Sequence, residues 1–139
     1  VAKECDLRVW ICDTREEYAN SENHPAADNV FFGSWKENVA RIGNANHHYL
    51  VVVTRGHKDD AEVLHEIAMA KCSPKYLGMI GSLAKKAQLD KMLLNLGISD
   101  NWLKSVQTPI GLDIGAKSSG EIAVSLISQL VKLRRNGIL

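Results

Sequence analysis

The side chains able to do chemistry gather in two short glycine turns. Thr54, Arg55, Gly56 and His57 follow the apolar run 49–53, and Gly81 and Ser82, with Lys85 and Lys86 just beyond, follow the run 75–80. A glycine turn that feeds a helix amino terminus leaves several backbone N–H groups without intrahelical acceptors, and the helix dipole favours negative charge there. The chemistry on offer is anion binding. Gly56 is followed by Asp59 and Asp60, which suit a helix start but repel a phosphate, whereas Gly81 is followed by Lys85 and Lys86. Cations in a first turn cost a helix roughly 0.3 to 1 kcal/mol each, so a bound anion would offset them. Gly81 and Ser82 are therefore the preferred phosphate cradle, with an ordinary serine cap and solvated lysines as the alternative.

Two acidic residues extend the candidate site. Asp13 ends the apolar run 8–13, the place where a dinucleotide-binding unit puts the carboxylate that takes the ribose hydroxyls. A strand-end carboxylate capping its own turn reads the same residue. Asp113 lies between Gly111 and Gly115 in a pliable loop and is expected to open onto the same crevice as Thr54, Arg55, His57 and Ser82. Catalysis is not signalled. His57 has no visible nucleophile to activate, and His47 and His48 would bind a metal only if a third ligand converged. No catalytic residue and no metal ligand is assigned.

The elements that must position these residues alternate regularly. The segment 1–7 looks like the tail of a helix. Residues 8–13 read as a strand, residues 14–28 as a polar loop, and residues 29–32 as an outer strand ended by Gly33. Ser34 caps a helix over Trp35–Ile42. The run 49–53, mostly β-branched, reads as a strand buried on both faces at the centre of a parallel sheet. Ala61, Leu64 and Ala68 mark the helix after it, running to Cys72. Residues 75–80 form the next strand, and a helix follows with Leu89, Met92, Leu93 and Leu96 on one face, closed by Gly97. Ser99 or Asp100 starts a short helix, and the stretch from Val106 begins as a strand before Pro109 and the glycines loosen it. Ser118 and Glu121 make a capping box for a last helix, whose apolar stripe is Ala123, Leu126, Ile127 and Leu130. The fold class expected is α/β, a three-layer, mostly parallel sheet, with residues 1–139 as a single domain.

Composition narrows the function classes. The chain has 139 residues, 45% of them hydrophobic, enough for one core. Seventeen basic residues against sixteen acidic ones give a formal charge of +1, so neither nucleic acid nor an anionic membrane is expected as partner. No apolar run reaches the roughly eighteen residues a bilayer span needs. Cys5, Cys12 and Cys72 lack metal-ligand spacing and read as buried thiols in a reducing compartment, so a cytoplasmic location is expected.

Three motifs, Val51-Val52-Val53-Thr54-Arg55-Gly56-His57-Lys58-Asp59-Asp60, Tyr76-Leu77-Gly78-Met79-Ile80-Gly81-Ser82, and Pro109-Ile110-Gly111-Leu112-Asp113-Ile114-Gly115-Ala116 with Glu121-Ile122-Ala123-Val124-Ser125, come in that order. Together they resemble the carboxyl-terminal Rossmann domain of the XdhC/CoxI family, the xanthine dehydrogenase accessory factors. The resemblance covers essentially the whole chain, with Asp13, Arg15 and Tyr18. It implies a non-catalytic maturation factor, usually part of a larger protein, that binds molybdenum cofactor as molybdopterin or its nucleotide form. Such a factor assists sulfuration and insertion, with a molybdenum hydroxylase apoenzyme and a sulfuration partner as its associates. In that reading the Gly81 and Ser82 N–H groups take phosphate, Arg55 and Lys85 are counter-charges, and His57 and Asp113 contact the polar head.

Two departures from the family pattern subtract from phosphate binding. The first strand with its glycine-rich turn is missing, and the arginine expected directly after Ile80-Gly81-Ser82 is Leu83. A missing strand would leave an apolar sheet edge, so a homodimer is expected, with an exchanged or augmented sheet. An NAD(P)-binding oxidoreductase of Rossmann type, using Asp13, and a dimerisation module with a degenerate ligand site are the alternatives.

Overall fold

The computed structural model describes residues 1–139. After a 3-10 turn at Lys3–Cys5 the elements run β1 (Trp10–Asp13), β2 (Asn29–Phe32), α1 (Trp35–Ile42), β3 (Tyr49–Val52), α2 (His57–Met69), β4 (Tyr76–Met79), α3 (Leu83–Asn95), α4 (Asp100–Lys104) and α5 (Ser119–Asn136). The strands pair in parallel, as expected, but as two separate pairs, β1 with β2 and β3 with β4. No strand bonds both pairs, so the sheet expected, already short of its first strand, is divided in two. The chain divides into two compact units, residues 35–110 and residues 1–34 with 111–139.

In the unit 35–110, Leu50 and Val52 of β3 stand opposite Leu77 and Met79 of β4, and all four join one apolar cluster with Ala61, Leu64 and Ile67 of α2 and Leu89 and Leu93 of α3. β3 is not buried on both faces: Tyr49 and Val51 are half-buried, and Val53, beyond the strand, is 61% exposed. The strand buried throughout is β4, because it is flanked on both edges, by β3 and by a bridge from Gly78 to Gln107. That single bridge is all that forms of the strand expected from Val106.

The helices differ from the sequence reading mainly at their ends and in which face is inward. α2 starts at His57, a turn earlier than expected, since Asp59 and Asp60 are well suited to a first turn. Its inward stripe is Asp60, Leu64 and Ile67, so a carboxylate lies on the apolar face. On α3 only Leu89 and Leu93 are inward, while Met92 and Leu96 are exposed. Burial pushes the Cys72 thiol up, and its Sγ donates to the Gly43 carbonyl at 3.3 Å, so it is an inert core thiol.

In the other unit, β1 and β2 are stitched by register pairs from Trp10–Asn29 to Asp13–Phe32, and the Trp10 ring meets Phe31 edge-on at 5.5 Å. α5 begins with the expected capping box: Ser118 Oγ accepts from Glu121 N at 3.2 Å, and Glu121 Oε1 accepts from Ser118 N at 2.8 Å. The Ser118 and Lys117 N–H groups, both donating to its Oε1, hold the Glu121 carboxyl below the usual range. Ser118→Ala is expected to lower stability by about 1 kcal/mol in urea unfolding; a change within error would mean the box holds nothing. Of the predicted α5 stripe Leu130 is buried and Ala123, Leu126 and Ile127 are half-buried, while Ser125 and Gln129, which the pattern did not mark, are buried with Leu130. The two polar residues are inward because they bind the preceding loop. Ser125 Oγ donates to Leu112 O at 2.5 Å, and Gln129 Oε1 accepts from Gly111 N at 2.9 Å.

Candidate functional site

Two β-to-α corners lie at the carboxyl ends of β3 and β4. In the first, Thr54 Oγ1 donates to Asp60 Oδ1 at 2.5 Å and accepts weakly from Gly56 N at 3.4 Å. Gly56 is fully extended and gives α2 no side-chain cap, so the amides that open α2 have no acceptor from a capping residue. Arg55 and His57 are both exposed at this corner.

The second corner is tighter. Ser82 Oγ accepts from Lys85 N at 3.1 Å and so caps α3, which confirms the hydroxyl as a helix cap. Gly81 has φ +150, and a Cβ there would come within 2.7 Å of Lys85 Cδ. The glycine thus lets the Lys85 stem fold back across the turn. Its ammonium reaches Ile80 O at 3.2 Å and Asp60 Oδ2 at 2.5 Å. Lys85 is the ion-pair partner of this enclosed oxygen. Asp60 is 1% exposed and bridges the two corners. Lys86 is engaged as well, with Asp90 at 2.8 Å and the Leu103 carbonyl at 3.0 Å.

The structure therefore brings together Thr54, Arg55, Gly56 and His57 with Gly81, Ser82 and Lys85. The rim they form is part apolar, since Val53, Ile80 and Leu83 are all exposed there. It can hold an anion on backbone N–H groups beside the Arg55 guanidinium. Asp60 escaped the sequence reading, which grouped it with Asp59 as a helix-start acid. The signal was present: Asp60 shares the i, i+4, i+7 spacing of Leu64 and Ile67, so it had to point inward and find a partner.

Asp13 and Asp113 belong to the other unit. Asp113 is exposed on its loop. Asp13 is gripped by Arg15: Oδ1 accepts from Arg15 N and Nε, both at 3.1 Å, and Oδ2 from the guanidinium at 2.9 Å. Arg15 also lies over the Tyr18 ring, 4.2 Å from its centroid. Asp13 thus shapes its own turn, and a ribose would have to share it with that fork. The Arg15 guanidinium holds the Asp13 carboxyl below the usual aspartate range, although partial burial opposes it. A carboxyl depressed on folding stabilises the protein above its unfolded value, near pH 4, and that contribution disappears as pH falls through the lower folded value. Asp13→Asn should accordingly flatten the fall of urea-unfolding stability below about pH 4. An unchanged acid limb would show that the Arg15 contact is absent in solution.

The family model described as the XdhC Rossmann domain matches residues 1–130. The chain belongs to this XdhC Rossmann-domain family. A Bacillus subtilis (strain 168) protein, named as a probable xanthine dehydrogenase component, is 25% identical over 135 residues, covering 97% of this chain and 38% of that protein. An Escherichia coli (strain K12) protein, "Uncharacterized protein YqeB", is 21% identical over 129 residues, or 92% of this chain and 23% of that one. The XdhC-type fold is also seen in a crystal structure described as a xanthine dehydrogenase from Bacillus halodurans, which superposes with a TM-score of 0.80 at 24% identity, over 97% of this chain and 38% of that chain. The XdhC domain here is thus an α/β, Rossmann-like unit that spans well under half the length of these relatives. No helix in it is long and apolar enough to cross a membrane.

Proposed function

We propose that this XdhC domain is the cofactor-holding part of an accessory factor for molybdenum hydroxylases such as xanthine dehydrogenase. It would bind molybdenum cofactor, as molybdopterin or its nucleotide form, through an anionic group at the paired corners. The observation that carries the reading is the pairing itself: two helix amino termini, one with no side-chain cap, tied together beside the exposed Arg55. Such termini attract phosphate through oriented N–H groups and the helix dipole.

In this reading Gly81, Ser82 and Gly56 present backbone to the phosphate, Arg55 supplies the charge and His57 meets the polar head. The apolar rim at Val53, Ile80 and Leu83 suits the flat ring system of a pterin or a base. The cofactor brings the molybdenum chemistry; the protein residues hold and orient it, so the domain is a maturation factor and not the hydroxylase. The associates proposed are the hydroxylase apoenzyme, a sulfuration partner and a second copy of the chain.

Titration with molybdopterin cytosine dinucleotide, NAD and NADP separates this reading from its rivals. Binding of the first alone supports the accessory role. Binding of a nicotinamide nucleotide supports an oxidoreductase, and silence with all three supports a dimerisation module. Arg55→Gln should weaken the productive ligand by about tenfold to a hundredfold, the loss of a hydrogen bond to a charged group worth roughly 1.5 to 3 kcal/mol. An unchanged affinity would remove Arg55 from the site.

A further inference from the structure

We infer that Asp60 and Lys85 are positioning residues that couple the two corners, and that Lys85 directs its charge into the protein instead of onto the ligand. The inference deepens the anion reading above and rests on it for its ligand, but its central observation is independent of any ligand. Asp60, 1% exposed on the first turn of α2, has one oxygen on Thr54 of its own corner and the other on Lys85 of the neighbouring helix. Lys85 in turn holds the carbonyl of Ile80, the residue before the Gly81 turn. The relay therefore runs Thr54, Asp60, Lys85, Ile80, from one corner's loop to the other's.

The charges follow from the same geometry. Lys85 and Asp60 cancel, and Lys86 is balanced by Asp90, so both lysines that flank the glycine turn are neutralised by acids of the same unit. The cation left facing solvent at the rim is Arg55, with Lys58 on the first turn of α2 beside it. Lys85 acts on an anion through the turn it positions. The stem that packs where a Gly81 Cβ would be makes the turn's backbone conformation depend on that lysine.

Two measurements on the full chain test this. The first is hydrogen exchange at the amides of Lys85 and Lys86, which donate to Ser82 Oγ and Ser82 O, taken as a ratio to the amides of Leu89 and Leu93, whose side chains are fully buried. Asp60→Asn alters a residue of α2, yet it should speed exchange at these two α3 amides by tenfold or more while the ratio rises above that of the unsubstituted chain. A substitution that merely lowers global stability would raise both sets together and leave the ratio unchanged. Thr54→Val, which leaves the ion pair intact, should give a smaller rise at the same amides and serves if Asp60→Asn fails to fold. An unchanged ratio in the folded variants overturns the coupling.

The second measurement is inorganic pyrophosphate affinity against salt concentration. Arg55→Gln should flatten the salt dependence. The double variant Asp60→Asn with Lys85→Met should weaken binding at least threefold with the salt dependence as in the unsubstituted chain, because it removes two charges that already cancel. Asp60→Asn, which frees the Lys85 charge, should steepen it. Flattening by the double variant equal to that by Arg55→Gln would make Lys85 a direct counter-ion and overturn the proposal. If the unsubstituted chain binds no pyrophosphate, the anion reading fails, and the exchange ratio alone decides the coupling.

Discussion

Gly111→Ala is expected to destabilise the protein by about 2 to 5 kcal/mol, a large effect for one methyl group. Two costs add. Gly111 has φ +87, where an L-residue costs roughly 1 to 2 kcal/mol. The new Cβ would also stand 2.2 Å from Ser125 Oγ and 2.9 Å from Leu126 N and the Ser125 carbonyl carbon, two of them backbone atoms of α5 that cannot swing aside. Overpacking of that kind costs roughly 1 to 3 kcal/mol. Gly115→Ala provides the control, since φ is +72 there but nothing lies within 4 Å of the added carbon. It should show only the backbone cost. Urea unfolding of both variants reads the difference directly, and equal losses would mean that the 111–112 loop does not seat on α5 as described.

Asp60→Ala should cost about 3 kcal/mol. Removing one member of a buried pair leaves the other charge without compensation, which costs roughly 3 to 5 kcal/mol when both are fully enclosed. Lys85 keeps 19% side-chain exposure and can turn partly toward water, which places the expectation at the lower end. Asp59→Ala, one residue earlier and less enclosed, should cost less than about 1 kcal/mol. The double variant Asp60→Leu with Lys85→Met should recover more than half of the loss, because an apolar pair of similar volume avoids the desolvation that the ions suffer. Equal effects at Asp59 and Asp60 would refute the buried bridge.

Local order was legible in the residues alone wherever a periodic signal or a local cap decided it. The bounds of α1 are those its pattern predicts, and the Ser99 cap of α4 and the Ser118–Glu121 box of α5 follow from side chains within a few positions of the backbone they satisfy. The two glycine corners were legible for the same reason, as was the strand-to-helix alternation that led to the family. Gly81 could be named as a turn without knowing that Lys85 packs against it.

Tertiary structure decided which polar groups are buried and what satisfies them. Asp60, Ser125 and Gln129 occupy inward positions that a hydrophobic pattern leaves unmarked, and their partners Lys85, Leu112 and Gly111 lie 13 to 25 residues away. A desolvated polar atom must be matched wherever the fold brings a donor or acceptor, and sequence distance has no bearing on that. The same reason explains Lys85: its residue type and place pointed to an anion, but a buried carboxylate from the preceding helix, Asp60 of α2, reaches it first. The grouping of four strands into two pairs is likewise a matter of which edges meet, because a strand's own residues specify its pleat and faces but not its neighbour.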